Sequence, residues 1–284
     1  EGQFSEASAA RERAILIYIR EDDTEALRRL AADPRYANSI PPLAHMQIAA
    51  AERDWWAVWW LIPRNEWERF ALGSAALALF AGLCWFLFAL QAGQVNLPRG
   101  ARWWLCPLAV LLGMLSIWPT HLLISWQEVH WGLVPSDELP GGLRYYVLGV
   151  GLREEFSKLL LLLPLIPLLV RRDNELETLI VSACVGLGFA IIENEHYFAA
   201  TFGSSTIGRF LTANFFHMST TGLIGLSVLR GLRDPRVRGP EALAFFGVMV
   251  MAHGLYDAAI AIPALQEYSI ASSIIYILLA YQFF

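Results

Sequence analysis

Seven apolar windows, each near the roughly 20 residues that a helix needs to cross a bilayer, leave this chain few ways to fold. They run from about 70 to 92, 102 to 125, 143 to 170, 177 to 200, 206 to 230, 241 to 262 and 268 to 284, the last being the shortest. The composition agrees: 56% of the residues are hydrophobic, 17% are charged and the mean hydropathy is +0.44, outside the range of ordinary soluble domains. The fold class expected is all-α, a polytopic membrane protein of about seven transmembrane helices.

Residues 1 to 69 differ in kind, with 9 Arg and 12 Asp or Glu. Helical patterning in AILIYI, EALRRLAA and HMQIAAAERDWW is interrupted by the breakers DPRY and SIPPL. This predicts a small helical extramembrane region, with the transmembrane domain over 70–284. The Trp-rich run 54-DWWAVWWLIP-63 is too short to span and suits an interfacial helix. No cleavable signal peptide is visible. The first residue is not Met and the last residues stop inside an apolar run, so both ends are expected to continue.

Loops near 93–102 (Arg99, Arg102), 171–176 (Arg171, Arg172) and 230–240 (Arg230, Arg233, Arg236, Arg238) are basic, whereas those near 126–142, 201–205 and 263–267 are acidic or uncharged. The positive-inside rule makes the basic set cytoplasmic. With seven spans, residues 1 to 69 then lie outside and the C-terminus inside, although nine arginines fit the outer side poorly without an earlier span to export them.

A net charge of -5 and the lack of a basic patch with interleaved aromatics exclude nucleic acid as a partner. Cys84, Cys106 and Cys184 are scattered through apolar segments without metal-ligand spacing and read as small buried hydrophobes. Of the 21 basic residues 20 are Arg, so the one lysine, Lys158, stands out.

Lys158 lies in 151-GLREEFSKLLLLLPLIPLLV-170, where Glu154 and Glu155 also interrupt an apolar run. An ionisable side chain at the centre of a bilayer costs about 3 kcal/mol on insertion scales, so something must compensate. Glu154 and Lys158 are four apart and share a helix face, while Glu155 is turned by about 100°. Three later windows carry their own polar intruders at helical spacing. These are Glu193 with Tyr197 in GLGFAIIENEHYF, His217 with Thr221 in RFLTANFFHMSTTG, and His253 with Asp257 in AHGLYDAA. Gly186, Gly188 and Ala190 permit close helix approach beside Glu193.

Counted from the outer end of each window, these groups lie roughly 8 to 17 Å deep at 1.5 Å per residue. Four helices of alternating direction thus bring them to one layer. Any one of them alone would read as a packing residue, and His121, His196 and Glu195 are read that way. Six converging on one depth, Glu154, Glu155, Glu193, His217, His253 and Asp257, point to a task. A desolvated Glu serves as a general base toward water, an imidazole holds that water or protonates a leaving amine, and Lys158 keeps one carboxylate charged. A proton or cation relay uses the same side chains, but would string them along the membrane normal instead of gathering them in a layer. A sensor or scaffold, with the cluster serving only helix packing, is the third class.

At these positions the chain resembles the PrsW-type intramembrane proteases. EEFSK matches their Glu-Glu-x-x-Lys signature, GFAIIENEHY their Glu-Asn-x-x-Tyr element with Asn194 and Tyr197 in support, and His217 and the His253-x-x-x-Asp257 pair their two later motifs. The pattern is similar to that of CAAX prenyl endopeptidases and bacteriocin-processing proteins. The resemblance covers about residues 141 to 262, taken as the catalytic core, and leaves out 1 to 69. It implies a multi-pass protein of the bacterial cytoplasmic membrane that cuts a peptide bond in or near the membrane segment of a membrane-anchored protein. Family substrates include anti-sigma factors cut near the outer surface. Carried over, Glu154 or Glu155 is the base, His217 helps bind the water, and His253 with Asp257 steadies the oxyanion or binds a metal. His217, His253 and Asp257 form a candidate zinc set that leaves one position for water. No His-Glu-x-x-His helix is present, and a metal-free route uses the same residues.

Overall fold

The structure, a computed structural model, describes residues 10, 13–36, 39–92, 101–267 and 270–283. Most of the loop expected near 93–102, the first residues of the chain, and residues 268, 269 and 284 of the last window lie outside them. Among the described residues every regular element is helical and there is no strand. The chain divides into two compact units, Glu1–Arg69 with His121–Gly132, and Phe70–Thr120 with Leu133–Phe284.

In the first unit the helices are α1 (Thr24–Ala32), α2 (Pro42–Ala51) and α3 (Trp55–Arg69). Asp23 caps α1 by accepting the Ala26 N–H at 2.9 Å. Pro42 opens α2, where its missing N–H leaves no hydrogen bond unmade. Ile15, Leu27, Ile40 and Ala44 form a small core. α3 has 15 residues, too few to span a bilayer. Trp56, Trp60 and Trp67 stand exposed along it.

The second unit contains α4 (Leu72–Ala92) and α5 (Cys106–Leu115), then the start of α6 (Ile117–Trp131), whose later part belongs to the first unit. After them come α7 (Leu152–Leu162), α8 (Glu175–Ala200), α9 (Ala213–Arg233), α10 (Arg238–Ala261) and α11 (Ile270–Phe283). α8 is the centre: 78% of its apolar stretch is buried, against 28% for α4. Two glycines make that possible. A Cβ on Gly186 would run into the His217 carbonyl of α9, and one on Gly188 into the Val110 carbonyl of α5. Cys184 and Cys106 are buried in the core they share, as small hydrophobes.

Among the described residues, four helices are long and apolar enough to cross a membrane: Leu72–Gln91, Trp103–Trp131, Glu175–Ala200 and Arg238–Ala261. Seven such spans were expected. The window 143–170 is divided into a π-helical stretch, Tyr145–Gly151, then α7, a 3₁₀ turn at Leu163–Leu165 and a short helix, Ile166–Arg172. The window 206–230 is interrupted at Thr212, between the short helix Thr206–Leu211 and α9. The physical reason is in the side chains. α7 carries Arg153, Glu154, Glu155 and Lys158, and α9 carries Asn214, His217, Ser219, Thr220 and Thr221, all buried against protein. Helix faces turned toward protein need not be apolar. The last window holds a shorter apolar helix, Ser272–Phe283.

Candidate active site

Lys158, with no exposed surface, stands at the junction of α7, α8 and α9. Its Nζ donates to Glu155 Oε1 at 2.9 Å and to His217 Nδ1 at 2.8 Å, and lies 4.1 Å from the centre of the Phe189 ring. Glu154, the partner expected from the four-residue spacing, is farther off at 3.6 Å. An ammonium can only donate, so Nδ1 of His217 accepts and the ring proton sits on Nε2. Glu193 Oε2 accepts that proton at 3.0 Å.

His253 on α10 is oriented the other way round. Its Nδ1 donates to Glu155 Oε1 at 2.7 Å, while Nε2 faces Glu154 Oε2 at 3.5 Å and Asp257 Oδ2 at 3.4 Å. Glu155 is thus consumed by Lys158 and His253, with Thr220 Oγ1 donating at 3.3 Å. Thr221, the residue that shares a face with His217 in the sequence, instead lies against Gly186 and has no hydrogen-bond partner for its hydroxyl. The two imidazole rings are 5.3 Å apart, and both residues are buried.

These groups meet at a cavity of about 530 Å³ lined by Glu154, Glu193, His217 and Asp257, with Tyr145, Tyr146, Tyr197 and Tyr256 around it. Glu155 and Lys158 stand behind its wall. Arg209, which spacing arguments passed over, reaches it from the short helix Thr206–Leu211. Its Nη2 binds Glu193 Oε2 in a short contact, its Nε donates to Asn194 Oδ1 at 2.7 Å, and the guanidinium stacks 3.8 Å from the centre of the Tyr197 ring. Asn194 also donates to Asn214 Oδ1 at 3.2 Å, joining α8 to α9 beneath this clamp. Arg209 stands eight residues before His217, the two-turn spacing of one helix face, but the break at Thr212 separates them. Glu195, turned away from Glu193, accepts the Ala71 N–H at 2.9 Å instead.

The arrangement contains the donors of a cation site. Glu154, His217 and His253 offer ligand atoms that all lie within 4.8 Å of one another. Glu154 Oε2 is buried without a hydrogen-bond partner, and an imidazole nitrogen facing two carboxylate oxygens needs a positive charge between them. His253 also has the backing usual for a metal ligand, its second ring nitrogen donating to a carboxylate. His217 could ligate only by passing its Nε2 proton to Glu193. This trio differs from the zinc candidate set of His217, His253 and Asp257 carried over with the family resemblance. Asp257 lies one turn beyond His253, and Glu154, from a different helix, takes its place in the compact group.

Residues 101–283 match the family model described as PrsW family intramembrane metalloprotease. No curated protein and no solved structure matches the chain.

Proposed function

From the premise that this chain belongs to the PrsW family of intramembrane metalloproteases, and is thus an integral membrane hydrolase of peptide bonds, we propose that it cuts membrane-anchored proteins in or near their membrane segment at the cavity between α7, α8, α9 and α10. The observation that carries this reading is the meeting of Glu154, His217 and His253, with ligand atoms within 4.8 Å of one another, beside a cavity that Glu154 and His217 line.

The site's depth supports cleavage toward the outer face. Arg172 pairs with Glu177 at 3.0 Å, Arg230 with Glu175 at 2.6 Å and Arg233 with Asp173, all at the start of α8. This basic end belongs in the cytoplasm. Glu193 lies 18 residues along α8 from Glu175, about 27 Å at 1.5 Å per residue, and seven residues, about 10 Å, from the opposite end.

Oε2 is without a hydrogen-bond partner on both neighbouring glutamates, and Glu154 is the one that lines the cavity. Its unpartnered Oε2 accepts a hydrogen bond from water and turns the water's lone pair toward a peptide carbonyl. As the oxygen attacks, the proton passes to the carboxylate. His217 Nε2–H, fixed by Lys158, donates to the oxyanion that forms, and the departing amine recovers the proton as the C–N bond breaks. Glu155 is a positioning residue, setting the His253 ring and the Lys158 ammonium. Arg209 does the same for Glu193.

A divalent ion, zinc by its donor set, would be held by Glu154, His217 and His253. When bound it supplies a polarised carbonyl and a more acidic water. Glu154 and His217 would then be ligands in place of base and oxyanion donor, Glu193 would hold the proton of His217 Nε2, and Asp257 would remain as the free cavity carboxylate. A proton relay through the same groups would have to continue toward the basic end, but there Leu162, Leu165, Leu169 and Leu229 are buried and apolar.

The test is incubation of purified protein, with and without added Zn²⁺ and after chelation, with single-span membrane-anchored substrates, followed by mass mapping of the products. Cuts at the outer end of the span, lost on chelation and restored by Zn²⁺, support the zinc version. Activity in protein shown to be metal-free overturns it, and no cut in any substrate overturns the site assignment.

A further inference from the structure

One charged group on the cavity wall has no mate. Arg153 is 6% exposed and lines the same cavity as Glu154, Glu193 and Asp257. Its Nη2 donates to the Tyr145 hydroxyl at 3.2 Å, and its guanidinium carbon lies 5.3 Å from the centre of that ring. Nε and Nη1 are buried without any hydrogen-bond partner.

The carboxylates around the cavity are engaged elsewhere. Glu155 is bound to Lys158 and His253, Glu193 to Arg209 and His217, and Glu154 and Asp257 face His253. Among the described residues, none forms an ion pair with Arg153. A buried charge missing its partner is strongly destabilising. Packing alone gives no account of it, since a leucine would fill the space. Each bidentate edge of a guanidinium joins Nη2 to Nε or to Nη1. Tyr145 uses only one of the two Nη2 protons, so one full edge stays open. Such an edge matches the two oxygens of a carboxylate.

We propose that Arg153 is a substrate subsite that binds a carboxylate of the bound peptide, so that the protein selects chains with an acidic group near the cut bond. This rests on the cavity being the peptide site. The carboxylate comes from an Asp or Glu side chain or from a chain terminus, and the experiment separates the two. Tyr145 holds the guanidinium at its angle, and the π-helical turn beneath it passes Gly149, whose missing side chain leaves room beside Nη1.

Binding is measured directly, without cleavage, by ligand-observed NMR titration of the purified protein. The probes are N-acetylglutamate α-amide with a side-chain carboxylate, N-acetylglutamine with a terminal one, and the neutral N-acetylglutamine α-amide. One of the two acids is expected to bind at least about tenfold more tightly than the neutral amide, a difference of about 1.4 kcal/mol. Arg153→Gln erases that ratio, and Arg153→Lys, which keeps the charge without the fork, leaves part of it. If Arg153→Gln fails to fold, the comparison of wild type with Arg153→Lys still decides. Equal binding of all three probes by the wild type, or a preference that survives Arg153→Gln, overturns the proposal. So does inorganic phosphate displacing the acids, which would assign the arginine to lipid headgroups. A carboxylate preference in a protein that cuts no substrate would keep the subsite and remove the peptidase assignment of this cavity.

Discussion

Replacing Lys158 by Met tests how the site is held together. Met has similar length and no charge, so the change removes the contacts at 2.9 Å to Glu155 and 2.8 Å to His217, together with the position over Phe189, and leaves no void of consequence. Each charge-assisted hydrogen bond is worth about 1.5–3 kcal/mol, and removing one partner of a buried pair strands the other at about 3–5 kcal/mol. Lys158→Met alone should therefore destabilise by about 3–5 kcal/mol. Glu155→Gln strands the lysine instead and should cost a similar amount. The double variant strands neither, so its cost should fall short of the sum by about 1.5–3 kcal/mol. Equilibrium unfolding in mixed micelles with rising SDS, followed by helicity, measures all three. Additivity within about 0.5 kcal/mol would mean that the two charges do not depend on each other, and the account of Glu155 as a positioning residue held by Lys158 would fail.

Glu154→Gln and His217→Ala should each lower cleavage by about 10²–10³-fold, the loss typical of a removed base or oxyanion donor, with helicity unchanged; unchanged proteolysis in both would move the chemistry to other residues. If a metal is bound, His253→Ala should abolish its retention, while Glu155→Gln, acting through His253 Nδ1, should weaken it by about 10–100-fold, as metal analysis of dialysed protein would show. Gly186→Leu should destabilise by at least about 1–3 kcal/mol, because its side chain must displace the His217 carbonyl, and micellar unfolding would detect it; a neutral result would contradict the close packing of α8 on α9.

Four-residue spacings in the sequence anticipate some of this geometry. His253 and Asp257 do approach, at 3.4 Å, and a common layer for Glu154, Glu193, His217 and His253 follows from helix rise alone. What spacing cannot see is which residue meets which across helices. Lys158 is closer to Glu155, three residues away, than to Glu154, and its other bond reaches His217, 59 positions on. Arg209 escapes because a helix break lies between it and His217, so no single helical face relates the two. Arg153 escapes because it belongs to no spaced pair.

Four of the seven expected windows stand out by length and apolarity among the described residues, and the reason the others do not bears on how such chains are read. Hydropathy treats each helix as if lipid surrounded it. α4 fits that treatment, with only 28% of its apolar stretch buried, and sequence alone identifies it. α9 is enclosed over Ala213–Gly225 and α7 on one face only, with Phe156 and Leu160 exposed on the other, and the sheltered surfaces carry Glu154, Glu155, Lys158, His217 and Thr220, all buried. Where shelter admits several ionisable groups close together, as on α7, the helix loses the hydropathy of a span, whereas α8, equally sheltered but otherwise apolar around Glu193, keeps it. The same logic predicts where substitution is tolerated. A charge introduced on the lipid-facing side of α4, as in Leu83→Arg, should impair membrane insertion, at about 2.5–3.5 kcal/mol. Removing the charge of Glu154 should leave insertion intact and lower cleavage by about 10²–10³-fold. Insertion assays on the two variants would separate these effects, and equal insertion defects would refute the division between lipid-facing and enclosed helices.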